Sequence, residues 1–352
     1  MTPPVLLPTR KLGGGGDGPE ISAIGLGLMG LSVGYGPVGT DEERLAVLDR
    51  AWELGCTNWD TADIYGDNED LLGKWFALHP ERRDDIFLAT KFGLTAGIKD
   101  DGTVEFGLDS TPEHARAACE RSLARMGVKS IDLYYVHRAD KKTPIEKTME
   151  VLRELKEEGK IKAIGLSECS SDSLRRAYKV AAIAAVQVEY NPWQLDIENE
   201  TGTNLLATCR ELGVTVFAYS PLGRGFLTGQ IRSVDDLAPD DFRRGVPRFS
   251  AENFPKNLEL VDKFEEMAAK KSCTTAQLAL AWLMAQGDDI IPIPGTKKIK
   301  YLEENIGSTK VVLSPDEEKE IRKQVEKANV TGHRNPNGVI FTEAEFWDTP
   351  EM

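Results

Sequence analysis

Short apolar runs alternate with longer amphipathic stretches along most of the chain. The runs that we interpret as strands occupy residues 21–26, 57–60, 86–91, 131–137, 163–167, 185–190, 214–220 and 289–295. Apolar positions with helical spacing occupy residues 40–54, 68–78, 111–126, 144–158, 170–180, 200–212, 274–286 and 299–306. Eight strands that alternate with eight helices predict a closed (β/α)8 barrel, the TIM-barrel class of α/β fold.

Residues at the ends of these stretches support the helix boundaries. Thr111 and Pro112 form an N-cap followed by proline at the first helical position, and Gly55 and Gly127 follow the last turns of two helices. Two extra helices are predicted at 257–271 and 315–328. Two connections, 92–110 and 221–255, are longer than a barrel needs. Long connections at the C-terminal ends of strands usually cover an active site or are mobile.

The N-terminal region predicts a β-hairpin. Residues 5–12 and 21–25 read as two short strands joined by a glycine-rich turn. The four glycines at 13–16 do not open a helix as a GxGxxG loop would, which argues against dinucleotide binding there. A doubly wound sheet with a second domain would need a break in composition near the middle, and the sequence has none. We therefore predict one domain over residues 1–352.

Charge and cysteine content narrow the class of protein. The formal net charge of −14 argues against a nucleic-acid or anionic-membrane partner, because both require clustered Lys and Arg. Five cysteines, far apart and odd in number, indicate reduced thiols. No apolar run approaches the ~18 residues of a membrane span, and no signal-peptide pattern opens the chain. We expect a soluble protein of the cytoplasm.

The second predicted strand ends in a turn that carries three ionisable side chains. Asp60, Asp63 and Tyr65 follow it closely, where a purely structural strand would end in turn formers such as Asn-Gly. Carboxylates and a phenol can hold, orient and transfer protons. The alternative is structural: a Tyr hydroxyl that caps a turn and an Asp that caps the next helix.

Two further polar side chains end the neighbouring strands, Lys91 on the third and His137 on the fourth. Each has a structural alternative: a salt bridge at the barrel rim for Lys91, and a backbone hydrogen bond at the core edge for His137. Together with Asp60 and Tyr65 they fit one task. An ammonium held by a carboxylate is expected to lower the phenol pKa, so that Tyr65 can donate a proton while His137 orients a carbonyl.

Several motifs on successive strand ends resemble the aldo-keto reductase family over nearly the whole chain. They are WDTADIYG (59–66), ATK (89–91), LYYVH (133–137), IGLS (164–167), QVEYN (187–191), AYSPLG (218–223), and IPGTK (293–297) with EEN (303–305). The resemblance implies a barrel that reduces aldehydes or ketones with NADPH. It also implies that Tyr65 is the general acid, that Lys91 and Asp60 tune its pKa, and that His137 orients the carbonyl.

The resemblance also implies a set of cofactor contacts that runs from the nicotinamide to the adenine. The carboxamide site is matched by Ser167 and Gln187, and the aromatic shelf under the ring is matched by Tyr219. The pyrophosphate loop is matched by Ser220, Leu222 and Arg224. The 2′-phosphate pocket is matched by Gly295, Thr296 and Lys297, and the adenine clamp by Glu304 and Asn305. For Tyr219 the structural alternative is a strand aromatic that faces a helix.

This chain departs from the best-known family pattern at three places. Glu168 stands where many members have Asn after the Ser, which puts a carboxamide contact there in doubt. Gly295 and Tyr301 stand where mammalian members often place Lys and Arg, so Lys297 would contribute more to phosphate binding. The tail from Asn329 is short, as in the bacterial, fungal and plant branch that includes perakine-reductase-like and pyridoxal-reductase-like members.

A phosphate site at strand eight also has a physical basis. If Gly295 and Thr296 open a helix whose first residues include Lys297 and Lys298, backbone N–H groups, the helix dipole and an ammonium converge on one anion. The alternative is a solvated lysine pair. The four histidines have no metal-binding spacing, so no metal is expected.

We therefore predict an NADPH-dependent reductase of a small-molecule carbonyl substrate. The alternative is a regulatory subunit, because potassium-channel beta subunits resemble this family and keep its cofactor. Candidates for the substrate pocket wall are Met29, Tyr35, Phe92, Trp193, Phe226, Phe341, Phe346 and Trp347. The physiological substrate and the oligomeric state stay open.

Overall fold

The computed structural model describes residues 5–13, 18–98, 104–336, 340 and 344–352. The strands are β1 (Thr9–Lys11), β2 (Glu20–Ser22), β3 (Leu26–Gly27), β4 (Asn58–Asp60), β5 (Phe87–Phe92), β6 (Leu94–Ile98), β7 (Val104–Leu108), β8 (Ile131–Val136), β9 (Ile161–Ser167), β10 (Ala185–Glu189), β11 (Thr215–Tyr219) and β12 (Ile290–Pro292). The α-helices are α1 (Asp41–Glu53), α2 (Asn68–Leu78), α3 (Pro112–Met126), α4 (Ile145–Glu157), α5 (Ser171–Val180), α6 (Leu205–Leu212), α7 (Phe254–Lys271), α8 (Thr275–Ala285), α9 (Ile299–Gly307) and α10 (Pro315–Lys327).

Eight parallel strands form the barrel in the order β3, β4, β5, β8, β9, β10, β11, β12. The two end strands meet at a parallel bridge between Gly27 and Gly295, and the N–H of Gly27 donates to Pro294 O over 3.2 Å. A Cβ at Gly27 would lie 2.8 Å from Ile293 O, so the closure requires a glycine there. The predicted (β/α)8 barrel is confirmed.

The first predicted strand, 21–26, is wrong in its extent. Its first residues belong to β2, which pairs antiparallel with β1 in the predicted N-terminal hairpin, and only Leu26 lies in barrel strand β3. Leu12 and Ile21 of the hairpin region pack in one buried cluster with Tyr135 and Phe217 of the barrel strands. The hairpin therefore adds to the core inside the barrel.

The helices start and end close to the predicted residues, with one larger difference. The helix predicted at 200–212 begins only at Leu205, because Thr203 and Asn204 have left-handed φ values of 56° and 53°. A 3₁₀ turn, Glu200–Gly202, precedes that break. Capping follows the sequence signals: Thr111 Oγ1 accepts from the N–H of His114 over 3.3 Å, and Gly127 ends α3 in the left-handed region.

Both long connections have structure of their own. The connection at 92–110 contains the antiparallel hairpin of β6 and β7. The connection at 221–255 contains 3₁₀ turns, and its aromatic rings pack together, with the Phe226 ring centroid 4.4 Å from that of Phe254 and 5.3 Å from that of Phe249. We call residues 221–255 the long loop. These buried rings attach it to the core.

Membrane spans, metal clusters and disulfides are all absent from the described residues. None of the helices there combines the length and apolar character that a membrane crossing requires. No group of three or more His, Cys, Asp or Glu side chains in the same part of the chain could hold a metal ion. The five cysteines are free, and four of them are buried.

Gly165→Ala should destabilise the barrel, because a Cβ at this position of β9 would lie 2.3 Å from Cδ1 of the fully buried Tyr135 ring. Overpacking of this kind costs about 1–3 kcal/mol of unfolding free energy. Gly97→Ala is the control, because nothing lies within 4 Å of a Cβ there. Thermal unfolding measures both, and a Gly165→Ala protein as stable as the wild type would contradict this packing.

Candidate active site

A buried ion pair lies at the C-terminal edge of β4 and β5. Lys91 Nζ donates to Asp60 Oδ1 over 2.5 Å and to the carbonyl of Thr61 over 2.7 Å, and Gln187 Nε2 donates to Asp60 Oδ2 over 2.7 Å. The Lys91 side chain is 0% exposed. Burial raises the pKa of Asp60 and lowers that of Lys91, and each charge opposes the shift of the other. The two groups therefore depend on each other to stay ionised.

Tyr65 and His137 lie beside this pair. The Tyr65 ring centroid is 5.2 Å from Lys91 Nζ and 5.7 Å from the His137 ring centroid, with the two rings at 85°. The backbone N–H of His137 donates to Phe92 O over 2.7 Å, which holds His137 against the end of β5. All four side chains predicted to be catalytic are therefore brought together at one strand edge.

The expected direction of the Tyr65 pKa is wrong. Burial raises the pKa of this phenol, Asp60 raises it further, and Arg138 opposes them. Burial, together with Lys91 and Arg138, holds the pKa of His137 well below its ordinary value. The phenol is therefore protonated and the imidazole neutral across the usual working range of pH. His137 Nδ1 is buried and has no hydrogen-bond partner among the described residues.

The backbone of Asp63, the second carboxylate of the turn, is hydrogen-bonded to β5 and to α3. Its N–H donates to Lys91 O over 3.1 Å, and Arg125 of α3 donates to its carbonyl over 3.2 Å. Its Oδ1 is buried with no hydrogen-bond partner in the described part of the chain. Burial, with the negative charge of Glu69, raises the pKa of Asp63 to about 7.

The residues predicted for the nicotinamide lie on adjacent strands. Ser167 of β9 is the register partner of Gln187 of β10. Ser167 Oγ accepts from Arg138 Nη1 over 3.0 Å, and Tyr219, half-buried at the end of β11, donates its hydroxyl to Glu168 Oε1 over 2.8 Å. Glu168, the unusual residue in this motif, therefore binds the predicted aromatic shelf.

Ser220, Leu222 and Arg224 form a tight turn where the long loop begins. Ser220 and Arg224 have left-handed φ values of 46° and 56°, and Ser220 O accepts from the N–H of Gly223 over 2.9 Å. Arg224 Nη2 donates to Asn335 Oδ1 over 2.6 Å. Asn335 belongs to what we call the C-terminal segment, residues 329–352, so this turn is fastened to the end of the chain.

The helix predicted at 299–306 starts where expected, but the helix opening expected at Gly295 and Thr296 for the phosphate pocket is wrong. Helix α9 begins at Ile299 with Lys298 as its N-cap residue, so Lys297 precedes the helix. The N–H of Lys298 donates to Thr296 Oγ1 over 3.1 Å, which closes a turn before the helix. Gly295 makes the close approach to Gly27 that closes the barrel. The N–H groups of residues 295–297 therefore do not belong to the first turn of α9.

Lys297 instead reaches across to the loop before α1. Its Nζ donates to the carbonyl of Tyr35, to that of Gly36 over 3.4 Å and to that of Pro37 over 2.9 Å. Burial lowers its pKa, and the positive charge of nearby Arg243 lowers it further. Two cations from different parts of the chain therefore lie close together at this rim.

Glu304 and Asn305 lie on α9, as expected for an adenine clamp. The Glu304 carbonyl accepts from Gln277 Nε2 over 3.1 Å, and the Asn305 carbonyl accepts from Ser308 Oγ over 2.5 Å. Glu304 is half-buried and Asn305 buried. Their backbone is fixed against α8 and the turn after α9.

Three of the expected pocket-wall aromatics belong to the core. Phe92 stacks on Tyr134 with centroids 5.0 Å apart, and Trp193 packs on Phe226 at 4.1 Å. Met29 and Tyr35 are half-buried, and Phe346 and Trp347 lie in the C-terminal segment. Phe341 is outside the described residues.

Two buried arginines at the site, Arg138 and Arg334, were not among the predicted residues. Arg138 follows His137 directly and lies 6% exposed, with its Nη1 donating to His137 O over 2.7 Å. Arg334 of the C-terminal segment is 3% exposed and binds Glu168 and Tyr219. A basic residue directly after a strand-end His was a usable signal for Arg138. No sequence signal indicated Arg334, because its partner Glu168 is 166 residues away in the chain.

Comparison with known proteins gives one consistent result. The chain matches the Aldo/keto reductase family over residues 23–326. It is 49% identical over 352 residues to aldo-keto reductase str7 of Strobilurus tenacellus, covering 98% of this chain and 99% of that protein. It is 50% identical over 349 residues to aldo-keto reductase yakc [NADP(+)] of Schizosaccharomyces pombe, with the same coverage.

Solved structures agree with this comparison. The glycerol dehydrogenase AKR11B4 from Gluconobacter oxydans has a TM-score of 0.81 at 28% identity, over 92% of this chain and 97% of that one. The thermostable aldo-keto reductase Tm1743, in complex with the inhibitor epalrestat, has a TM-score of 0.69 at 28% identity, over 90% of this chain and 100% of that one.

Asp63→Asn should remove a pH dependence of stability. The Asp63 pKa is about 7 in the folded protein and about 4 in an unfolded chain, so the folded state binds the extra proton between these values. Wild-type unfolding free energy should therefore fall as pH rises through this window, and Asp63→Asn should lack that fall. Thermal unfolding at pH values spanning the window measures the difference, with the exposed Asp172→Asn as control. A difference between Asp63→Asn and wild type that is independent of pH would contradict this account.

Proposed function

Because the chain belongs to the aldo/keto reductase family, we propose that it is an oxidoreductase that reduces aldehydes or ketones to alcohols with NADPH. The observation that carries this proposal is the buried Asp60–Lys91 ion pair beside the Tyr65 ring. The substrate is a small molecule with a carbonyl group.

The residues present fit a nicotinamide cofactor with a 2′-phosphate. Ser167 and Gln187 offer polar groups on neighbouring strands, and the half-buried Tyr219 ring lies beside them on β11. Lys297 and Arg243 supply two cations near the loop before α1, which suits a phosphate. A phosphate oxygen there would replace a backbone carbonyl that Lys297 binds or compete with Asp241 for Arg243. One relative is named for NADP(+). Glu168 fits the carboxamide less well, because its carboxylate is occupied by protein groups.

When bound, NADPH supplies a hydride to the carbonyl carbon. Tyr65 donates its phenolic proton to the carbonyl oxygen as negative charge develops there. The raised pKa keeps Tyr65 protonated and makes its phenolate a stronger base than usual, but an alkoxide is a stronger base still, so the proton moves to the alkoxide. The ammonium of Lys91, 5.2 Å from the Tyr65 ring centroid, offsets part of the charge of the phenolate left behind. Neutral His137 can donate a hydrogen bond to the same oxygen from Nε2, because its other ring nitrogen, Nδ1, is buried.

The regulatory-subunit alternative is less well supported. Such a protein needs the cofactor site but not a proton donor, and here Tyr65, Lys91, Asp60 and His137 are placed together. We also propose a cytoplasmic location. The five unpaired cysteines support it, because reduced thiols are usual in that compartment.

Tyr65→Phe tests the proton donor. The change keeps the ring and its packing but removes the proton, so NADPH should bind normally while turnover of a good aldehyde falls by about a hundred- to ten-thousandfold. Steady-state NADPH oxidation measures turnover, and fluorescence titration measures binding.

Tyr178→Phe, on helix α5, is the matched control for Tyr65→Phe and should retain wild-type turnover. Near-wild-type reduction by Tyr65→Phe would mean that another group or water gives the proton, and the assignment of all four side chains would fail.

Lys297→Ala tests the cofactor preference. Loss of the ammonium should weaken NADPH binding by about ten- to a hundredfold, the effect of one charge-assisted contact, and should leave NADH binding almost unchanged. Lys298→Ala, at the exposed neighbouring lysine, is the control. Dissociation constants come from fluorescence titration with each cofactor. Equal constants for NADPH and NADH in the wild type would refute the 2′-phosphate pocket.

A further inference from the structure

Glu168 is a buried carboxylate in a constrained backbone position. It directly follows β9, it is 1% exposed, and its φ of 52° lies in the left-handed region. This conformation is uncommon for residues other than glycine and requires support from the surrounding structure. Its carbonyl accepts from the N–H of Phe346 over 3.0 Å, so the C-terminal segment is hydrogen-bonded to it.

The Glu168 carboxylate accepts four hydrogen bonds from protein groups. Oε1 accepts from the Tyr219 hydroxyl over 2.8 Å, from the N–H of Glu189 over 3.1 Å and from Arg334 Nη1 over 3.0 Å. Oε2 accepts from Arg334 Nη2 over 2.5 Å. Each oxygen of an ionised carboxylate offers about two acceptor sites, so Oε1 is fully used and Oε2 retains one. Protein donors therefore hold the carboxylate in place beside the Tyr219 hydroxyl.

Arg334, in the C-terminal segment, binds both Glu168 and Tyr219. Its Nη1 donates to the Tyr219 hydroxyl over 3.0 Å, so that hydroxyl donates to one charged group and accepts from another. Arg334 also forms ion pairs with Glu189 at 3.5 Å and with Glu345 at 3.2 Å. Burial alone would raise the pKa of Glu168, but Arg334 holds it at about 2.

We propose that Glu168 and Arg334 are a pair of positioning residues that fix the Tyr219 ring for the nicotinamide, so that the C-terminal segment completes the cofactor site. The proposal rests on the proposed function. A ring fixed in advance loses little freedom when the cofactor binds, which favours affinity. The competing explanation is that Arg334 only anchors the C-terminal segment.

The chain offers a control for that competing explanation. Arg176 of α5 anchors the last residues of the same segment: its Nη1 donates to Thr349 O over 2.8 Å, and its Nε donates to Glu146 Oε1 over 2.8 Å. No contact between Arg176 and Tyr219 is found among the described residues. Arg176→Met should therefore loosen the segment without moving the ring.

The test compares Glu168→Gln, Arg334→Met and Arg176→Met with the wild type. Fluorescence titration gives the dissociation constants for NADPH and NADH, and thermal unfolding without cofactor gives stability. Glu168→Gln and Arg334→Met should weaken both cofactors equally, by about tenfold, because the change lies away from the 2′-phosphate pocket. Arg176→Met should lower stability and leave both constants unchanged. Arg334→Lys keeps the positive charge but lacks the two parallel N–H donors of the guanidinium, so it should bind the cofactors better than Arg334→Met and more weakly than the wild type.

Two outcomes overturn the proposal: wild-type constants in Glu168→Gln and Arg334→Met, or an equal loss in Arg176→Met. Glu168→Gln decides alone if Arg334→Met does not fold, because Arg334 in that variant keeps its ion pairs with Glu189 and Glu345. A wild-type protein that binds no NADPH would refute the proposed function itself. If the wild type binds NADPH and the Glu168→Gln and Arg334→Met variants bind it equally well, only the positioning role is refuted.

Discussion

The Asp60–Lys91 ion pair is the interaction on which the candidate site depends. Both side chains are almost fully buried, and removal of either partner would leave an uncompensated charge, at a cost of about 3–5 kcal/mol. Gln187 also donates to Asp60, and the carbonyl of Thr61 accepts from Lys91. The pair joins two neighbouring barrel strands and fixes the ammonium beside the Tyr65 ring. Its bond to Gln187 of β10 crosses the barrel, so this bond requires the curled sheet.

Much of the fold followed from local signals in the sequence. Periodic apolar positions and stop signals such as Gly127 located the barrel helices, because helix ends depend on a few adjacent residues. The errors arose where long-range pairing decides the structure. Ile21 belongs to the hairpin because β2 pairs with β1. Lys297 precedes α9 while its ammonium bonds across to the loop before α1. The assignment of residues 1–352 to one domain stays a prediction.

The candidate site was predictable in its strand-end residues only. Parallel strands end at one edge, so Asp60, Lys91 and His137 had to meet there once the barrel was inferred. The direction of the Tyr65 pKa was not predictable, because it depends on burial that the sequence does not give. The role of Glu168 stayed open for a similar reason, since Arg334 reaches it from the far end of the chain. The residue roles remain proposals.

The most direct measurement is a single-turnover experiment on the wild-type protein, with NADPH deuterated at the transferable position and a set of aldehydes and ketones. If the protein is the proposed reductase, cofactor absorbance falls, one alcohol forms for each NADPH consumed, and the deuterium appears on the carbinol carbon. Tight NADPH binding without oxidation by any carbonyl would contradict the account and would favour a regulatory role.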